Sequence, residues 1–110
     1  MNGFRRGTLY WGRLDKRRPL LVVSIDSFNT RADYLTVVPG SSRLRPMPTH
    51  VPLAAGEGGA PARTMLLCEH VQPVRKSDVE AKPIGPGLSR VRMREVEAAL
   101  ALLLGLEPDT

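Results

Sequence analysis

The sequence predicts a mainly β fold with a C-terminal helix, and three observations carry that expectation. Apolar runs rich in β-branched and aromatic residues recur from Thr8 to Val74. Turn signals interrupt them roughly every 8–12 residues. The last part of the chain then changes to the apolar spacing of a helix. Roughly five to seven short strands followed by one helix make a small β-barrel or curled sheet.

The elements follow in order. Thr8–Leu14 and Pro19–Ile25 are β-rich runs separated by the basic segment Asp15-Lys16-Arg17-Arg18. Leu20-Leu21-Val22-Val23 is continuous rather than alternating, the pattern of a strand covered on both faces. Ser27–Arg31 reads as a loop, Tyr34–Pro39 as a third strand, and Gly40–Pro48 as a basic loop punctuated by Pro46 and Pro48. His50–Leu53 makes a short strand, Gly56–Gly59 a turn, and Thr64–Cys68 and His70–Val74 two further strands. Ser77 and Glu80 have capping-box spacing, which predicts a short helix stopped by Pro83. Ser89 caps a longer helix over about Arg90–Leu104, ended by Gly105. Met93, Val96, Leu100 and Leu103 form its apolar stripe. From Ala98 onward the helix is apolar on every side, so a second copy of the chain is expected to cover its end.

The chain has 110 residues, room for a single domain over 1–110. Hydrophobic residues at 42% and charged residues at 25% exclude a disordered chain. The longest apolar run, Ala98–Leu104, falls short of the ~20 residues a membrane span needs. Met1–Gly12 lacks the apolar core of a secretory signal. Cys68 is the one cysteine, which excludes an internal disulfide and a cysteine-rich zinc site. Lying in an apolar run, it reads as a small core residue. The expectation is a reduced, cytoplasmic chain with no membrane contact.

Charge narrows the partner. Thirteen arginines and three lysines face 11 acids, a net charge of +5. Residues 1–50 hold nine basic and three acidic residues, residues 51–110 seven and eight. The surplus therefore lies wholly in the first half, where it can attract a polyanion. Arginine forks suit phosphate, and nucleic acid is the polyanion this composition fits.

The chain carries no Walker loop, GxGxxG, GxSxG or HExxH. His50 and His70 are twenty residues apart with no partner at ligand spacing, so neither metal nor cofactor is expected. What remains is a set of arginines and hydroxyls. Arg17-Arg18 precedes one strand and Ser41-Ser42 follows another. If those strands are neighbours, Arg18 and Ser41 meet at one rim, where they can grip a phosphate and stabilise charge developing at phosphorus. Arg43 and Arg45 in the following loop are candidates for positioning phosphates. Tyr10 and Trp11 alternate across the first strand, so one can stack on a base while the other packs inward; core packing of both is the competing reading.

These residues resemble the MazF/PemK-like toxins. Gly7-Thr8-Leu9-Tyr10-Trp11 is similar to their opening strand motif, and Arg18-Pro19-Leu20-Leu21-Val22-Val23-Ser24 to their Arg-Pro strand. Asp26-Ser27-Phe28-Asn29 resembles the next loop, and Val37-Val38-Pro39-Gly40-Ser41-Ser42 the Pro-x-Thr-Ser segment. The likeness continues through Pro48-Thr49-His50-Val51, Leu67–Val74, Ile84-Gly85 and the final helix, covering about residues 6–106. The resemblance implies an SH3-like barrel, a homodimer, and a metal-independent, sequence-specific endoribonuclease neutralised by a cognate antitoxin. In such enzymes the 2′-hydroxyl of single-stranded RNA attacks the adjacent phosphorus, leaving a cyclic phosphate and a free 5′-hydroxyl.

Carried over by residue, the resemblance makes Arg18 and Ser41 catalytic. Arg18 stabilises the phosphorane or protonates the leaving oxygen, and Ser41 stands where the family has threonine. Glu69 and His70 occupy the family's acidic-then-glutamine pair. Arg17, Ser42, Arg43, Arg45 and His70 are the expected RNA contacts. One segment departs from the pattern. The family's longer loop, with Gly-x-Glu-Gln ahead of Arg-Pro, is reduced here to Asp15, Lys16 and Arg17 between Leu14 and Arg18. Asp15 then either replaces the missing glutamate or serves the turn. Two other readings stay open: a CcdB-like topoisomerase poison acting through the dimer helix, and a barrel that binds RNA or antitoxin without cutting.

Overall fold

The computed structural model describes residues 3–106; residues 1–2 and 107–110 of the expected 1–110 domain lie outside the described residues. Seven strands run as β1 (Leu9–Arg13), β2 (Arg17–Val22), β3 (Tyr34–Ser41), β4 (His50–Leu53), β5 (Thr64–Leu67), β6 (Gln72–Arg75) and β7 (Val79–Pro83). Helix α1 (Asp26–Arg31) follows β2, and α2 (Arg90–Leu104) ends the described chain. All strand pairs are antiparallel, in the order β4-β5-β3-β2-β1-β7, with β6 also on β3. The sheet curls without closing, since among the described residues β4 pairs only with β5 and β7 only with β1. Of the small barrel or curled sheet expected, the chain takes the curled, open form, with the C-terminal helix as expected.

Two cores lie on the two faces of this sheet, which explains the unbroken apolar run of β2. Leu9, Leu21 and Val38 point to one face, where Met93, Val96 and Ala99 of α2 cover them. Tyr10, Leu20, Val22, Leu35 and Val37 point to the other, packed with Val74 of β6 and Val79 of β7. Alternate residues of β1, β2 and β3 thus serve different cores, as the two-residue period requires. Each large apolar side chain fully buried this way contributes about 1.5–3 kcal/mol before chain entropy.

Helix α2 has the expected boundaries. The Ser89 hydroxyl accepts from the Arg92 amide, and Gly105 adopts the left-handed conformation with φ 70°. Its buried face is Met93, Val96 and Ala99, so the expected stripe fails at Leu103, which is 38% exposed.

Two local expectations are overturned. Ser27–Arg31 belongs to α1 rather than a loop, because Asn29 folds back on Ser24 just past the end of β2. The Asn29 amide donates to the Ser24 carbonyl, and the Ser24 hydroxyl in turn accepts from the Thr36 amide of β3. Six residues are too few for apolar periodicity to reveal such a turn. The helix expected from Ser77 is a 3-10 turn (Lys76–Asp78) leading into β7. Its would-be capping residue Glu80 binds Arg17 instead, Val79 enters the second core, and pairing with β1 overrides the local signal.

The Gly56–Gly59 turn is a 3-10 turn over Glu57–Gly59 that packs against Ile84-Gly85. Gly59 has φ 87°, and a Cβ there would stand 2.7 Å from the Gly85 Cα, so the two backbones meet only because both residues are glycine.

Candidate nucleic-acid site

The site arises where β3 changes partner. Its first half, Tyr34 to Val37, pairs with β6, whereas Gly40 and Ser41 pair with β5. Residues 67–71 consequently stand opposite only Val38 and Pro39 and bulge outward as a 3-10 turn over Cys68–His70. The expected continuous strands there are shortened by this excursion, which brings His70 beside the end of β3. On the other side of β3, β2 pairs in a register that sets Leu20 against Pro39. Gly40 fits because it carries no side chain: a Cβ would lie 2.7 Å from Thr64 Cγ2 and 3.2 Å from the Pro19 carbonyl.

A cavity of 490 Å³ opens at this junction, within the range of ligand sites. Arg18, Ser41, Ser42, Arg43 and His70 all line it, together with Asp15 and Lys16 from the β1–β2 turn. Leu14, Leu67 and Gln72 also line it, and no sequence signal singled them out. The cations on its wall outnumber its one carboxylate, so the cavity favours an anion.

Arg18 is held in place by its own turn. Its Nε and Nη2 donate to Asp15 at 2.8 and 2.9 Å, and Nη1 donates to the Gly40 carbonyl at 3.3 Å. Of five guanidinium N–H groups three are used, leaving one on each terminal nitrogen. The hydrogen bonds to Asp15 raise the Arg18 pKa further, and the same bonds hold the Asp15 carboxyl far below the usual carboxylate range. Arg18 is thus a fixed cation, unsuited to giving up a proton. Asp15 lies in the turn between β1 and β2, as one of its two expected readings has it, and from there its carboxylate orients the arginine.

The Ser41 hydroxyl oxygen accepts from the Arg43 amide at 3.1 Å, which sets the start of the basic loop and leaves the O–H proton free to donate. Arg17, adjacent to Arg18, projects to the opposite face. It donates to both Glu80 oxygens at 2.9 and 3.1 Å and covers the Trp11 ring at 4.2 Å. It lines a neighbouring concavity that shares Lys16, Arg18, Ser41 and Ser42 with the first. Arg45 is exposed and is not on the cavity wall. Tyr10 packs inward against Phe4, while Trp11 is only half-buried. Cys68 is fully buried, with its thiol pushed up to about 11 by burial and by the neighbouring Glu69, so it is a core residue.

Behind the wall lies a cluster that sequence reading missed. His50 Nε2 meets Glu69 Oε2 at 2.7 Å, His50 Nδ1 meets the Arg45 carbonyl at 2.6 Å, and the Thr49 hydroxyl donates to Glu69 at 3.0 Å. The β4–β5 register, which sets His50 against Leu67, brings them together across twenty residues. Among the described residues no group of three His, Cys, Asp or Glu is arranged to hold a metal, and no helix is long and apolar enough to cross a membrane.

The family model of PemK-like, MazF-like toxins of type II toxin–antitoxin systems matches residues 5–104. The chain belongs to this family. Its fold agrees with solved MazF-like toxins. The Mycobacterium tuberculosis toxin MazF-mt6 is 23% identical, with a TM-score of 0.83 over 92% of this chain and 99% of that one. A mycobacterial endoribonuclease in complex with its cognate antitoxin is 22% identical, with a TM-score of 0.83 over 96% and 99%. The MazE–MazF complex of Deinococcus radiodurans is 26% identical, with a TM-score of 0.80 over 94% and 96%. No curated protein sequence matches the chain significantly. In this MazF-like toxin the Arg-Pro strand and the Pro-Gly-Ser-Ser segment, distant in sequence, wall one cavity.

Proposed function

We propose that this MazF-like toxin is a metal-independent, sequence-specific endoribonuclease of the cytoplasm that cuts single-stranded RNA and is neutralised by a cognate antitoxin. The convergence of Arg18 and Ser41 on one cationic cavity carries the reading. The two unused N–H groups of Arg18 match two oxygens of a phosphodiester, the forked geometry that arginine favours. Attack by the RNA 2′-hydroxyl on phosphorus puts extra negative charge on those oxygens. A guanidinium already fixed by Asp15 meets that charge without reorganising, which is where preorganised donors lower a barrier. Arg18 therefore acts by electrostatic stabilisation and not as the acid for the leaving oxygen. The Ser41 hydroxyl donates a further hydrogen bond to the phosphate. His70, the imidazole on the wall, is the group suited to proton transfer. The 2′-hydroxyl gives up its proton and its oxygen bonds to phosphorus to make the 2′,3′-cyclic phosphate. The bond from phosphorus to the 5′-oxygen breaks, and that oxygen takes up a proton to become the 5′-hydroxyl, so one proton leaves and one is returned without water entering the step.

The antitoxin partner is supported by the complexes that similar toxins form. A homodimer is supported by Leu102, Leu104 and Leu106, which are 62%, 59% and 62% exposed at the end of α2. Sedimentation at micromolar concentration should give a dimer, and a monomer alone would remove this element.

The deciding experiment incubates the purified protein with a long single-stranded RNA in excess EDTA. Discrete fragments ending in cyclic phosphate are expected. Intact RNA, with gyrase-dependent DNA breaks in a parallel assay, would instead support the topoisomerase-poison reading.

A further inference from the structure

His50 faces two acceptors. A backbone carbonyl has no proton to give, and the Arg45 carbonyl lies 2.6 Å from Nδ1. On the other side the Glu69 carboxylate lies 2.7 Å from Nε2. A neutral imidazole has one N–H and one lone pair, so it satisfies only one of these contacts and sets its lone pair against the other acceptor. The imidazolium, with an N–H on both nitrogens, satisfies both.

Protonating Glu69 instead would also satisfy both contacts, but the surroundings oppose it. Glu69 already accepts from the Thr49 hydroxyl, and His70 Nε2 lies 3.9 Å from the same carboxylate oxygen that binds His50. Burial works against ionising Glu69, yet its hydrogen bonds with His50, its own amide and Thr49 prevail and hold its pKa low. Burial likewise opposes the charge on His50, and the bonds to Arg45 and Glu69 outweigh it, raising the pKa despite the charge of Arg45.

We propose that His50 is a positioning residue whose doubly protonated ring latches the basic β3–β4 loop to the Cys68–His70 turn. The latch ties together two walls of the cavity. The loop carries Arg43, whose amide is bound by Ser41, and the turn carries His70; both face the cavity. The His50 side chain is 5% exposed, so water does not readily replace a lost partner. When the proton leaves, the remaining N–H stays with the carboxylate, the stronger acceptor, and the Arg45 end of the loop is released.

The sign follows from the raised pKa. The latch contributes in full below the unfolded histidine value of about 6.5 and is lost as pH rises through the higher folded value. The consequence for RNA rests on the nuclease reading: the KM for RNA should climb across that window in the native protein and not in His50→Gln.

The test uses the intact protein labelled with nitrogen-15. Both ring nitrogens of His50 should carry protons at pH 6.5, and the titration midpoint should lie above about 6.5. Glu69→Gln should move that midpoint to lower pH. In parallel, trypsin cleavage of the Arg43–Leu44 bond should accelerate with pH beyond the rise seen on an unstructured arginine peptide. In His50→Gln, which has a single nitrogen where the ring has two and does not titrate, that excess should vanish. A neutral His50 tautomer at pH 6.5, or a midpoint unmoved by Glu69→Gln, overturns the latch even if RNA is cut. A titrating latch in a protein that leaves RNA whole upholds the inference and removes the nuclease reading.

Discussion

Arg18 and Arg92 each grip one carboxylate through Nε and Nη2, with distances of 2.8 and 2.9 Å in both cases. Around them the molecule differs. Nη1 of Arg92 is taken by a second carboxylate, Glu95, at 2.9 Å, so the guanidinium sits between two acids and ties α2 to the Glu57–Gly59 turn. Nη1 of Arg18 meets only a carbonyl, at 3.3 Å, and its remaining donors lie beside a cavity that also has Lys16 and Arg43 on its wall. Both arginines are pushed to higher pKa mainly by their hydrogen-bonded acids. An ion pair therefore does not by itself mark a site. Each guanidinium keeps two donors, so what separates the two is whether those donors face a cavity and whether the charge nearby is balanced or in excess.

The two forks should come apart under mutation. Arg18→Ala is expected to lower RNA cleavage by about 10²-fold or more, the scale of one lost preorganised donor, with little change in thermal midpoint. Arg92→Ala should do the reverse. It leaves Glu57 with only the Ala54 amide, costs about 1–2 kcal/mol of stability and leaves cleavage unchanged at temperatures where the protein is folded. Single-turnover cleavage and thermal melts of the two variants check both halves. Equal loss of cleavage in the two would erase the distinction.

Ser41→Ala is expected to have an intermediate effect. Losing one hydrogen bond from an uncharged donor to the phosphate should slow cleavage about tenfold, or ~1.4 kcal/mol, in the same single-turnover assay. A loss as large as that of Arg18→Ala would mean that Ser41 supports the loop through the Arg43 amide rather than touching the phosphate.

The same comparison shows what the sequence could and could not display. Elements whose signal is local were legible. Helix α2 has its cap, apolar face and terminal glycine within one stretch, and the β2 run displays the two cores that it separates. Arg18 and Ser41 were legible as a pair only on condition that their strands were neighbours, which the β2–β3 register satisfies. The failures are places where a distant partner outbid a local one. Ser77 and Glu80 have the spacing of a capping box, yet β1 takes that segment as a strand and Arg17 takes the glutamate. The grip of Asp15 on Arg18 spans three residues but depends on a turn conformation that spacing alone does not fix. His50 and Glu69 met only because β4 and β5 pair in one particular register.

The smallest effect is expected at Arg43, and it tests whether excess charge around Arg18 matters as charge. The link from this residue to Ser41 is made by its backbone amide, so Arg43→Ala removes the guanidinium while keeping that bond. The exposed side chain contributes through the long-range field and through a phosphate contact, both of which salt screens. KM should therefore rise a few-fold at low salt with kcat nearly unchanged. The slope of log affinity against log salt should fall by about 0.7, the value for one phosphate contact on single-stranded nucleic acid. An unchanged slope would remove Arg43 from the RNA path. A fall in kcat comparable to that of Ser41→Ala would mean that the side chain shapes the loop, and the contrast with Arg92 would then rest on Arg18 and Lys16 alone.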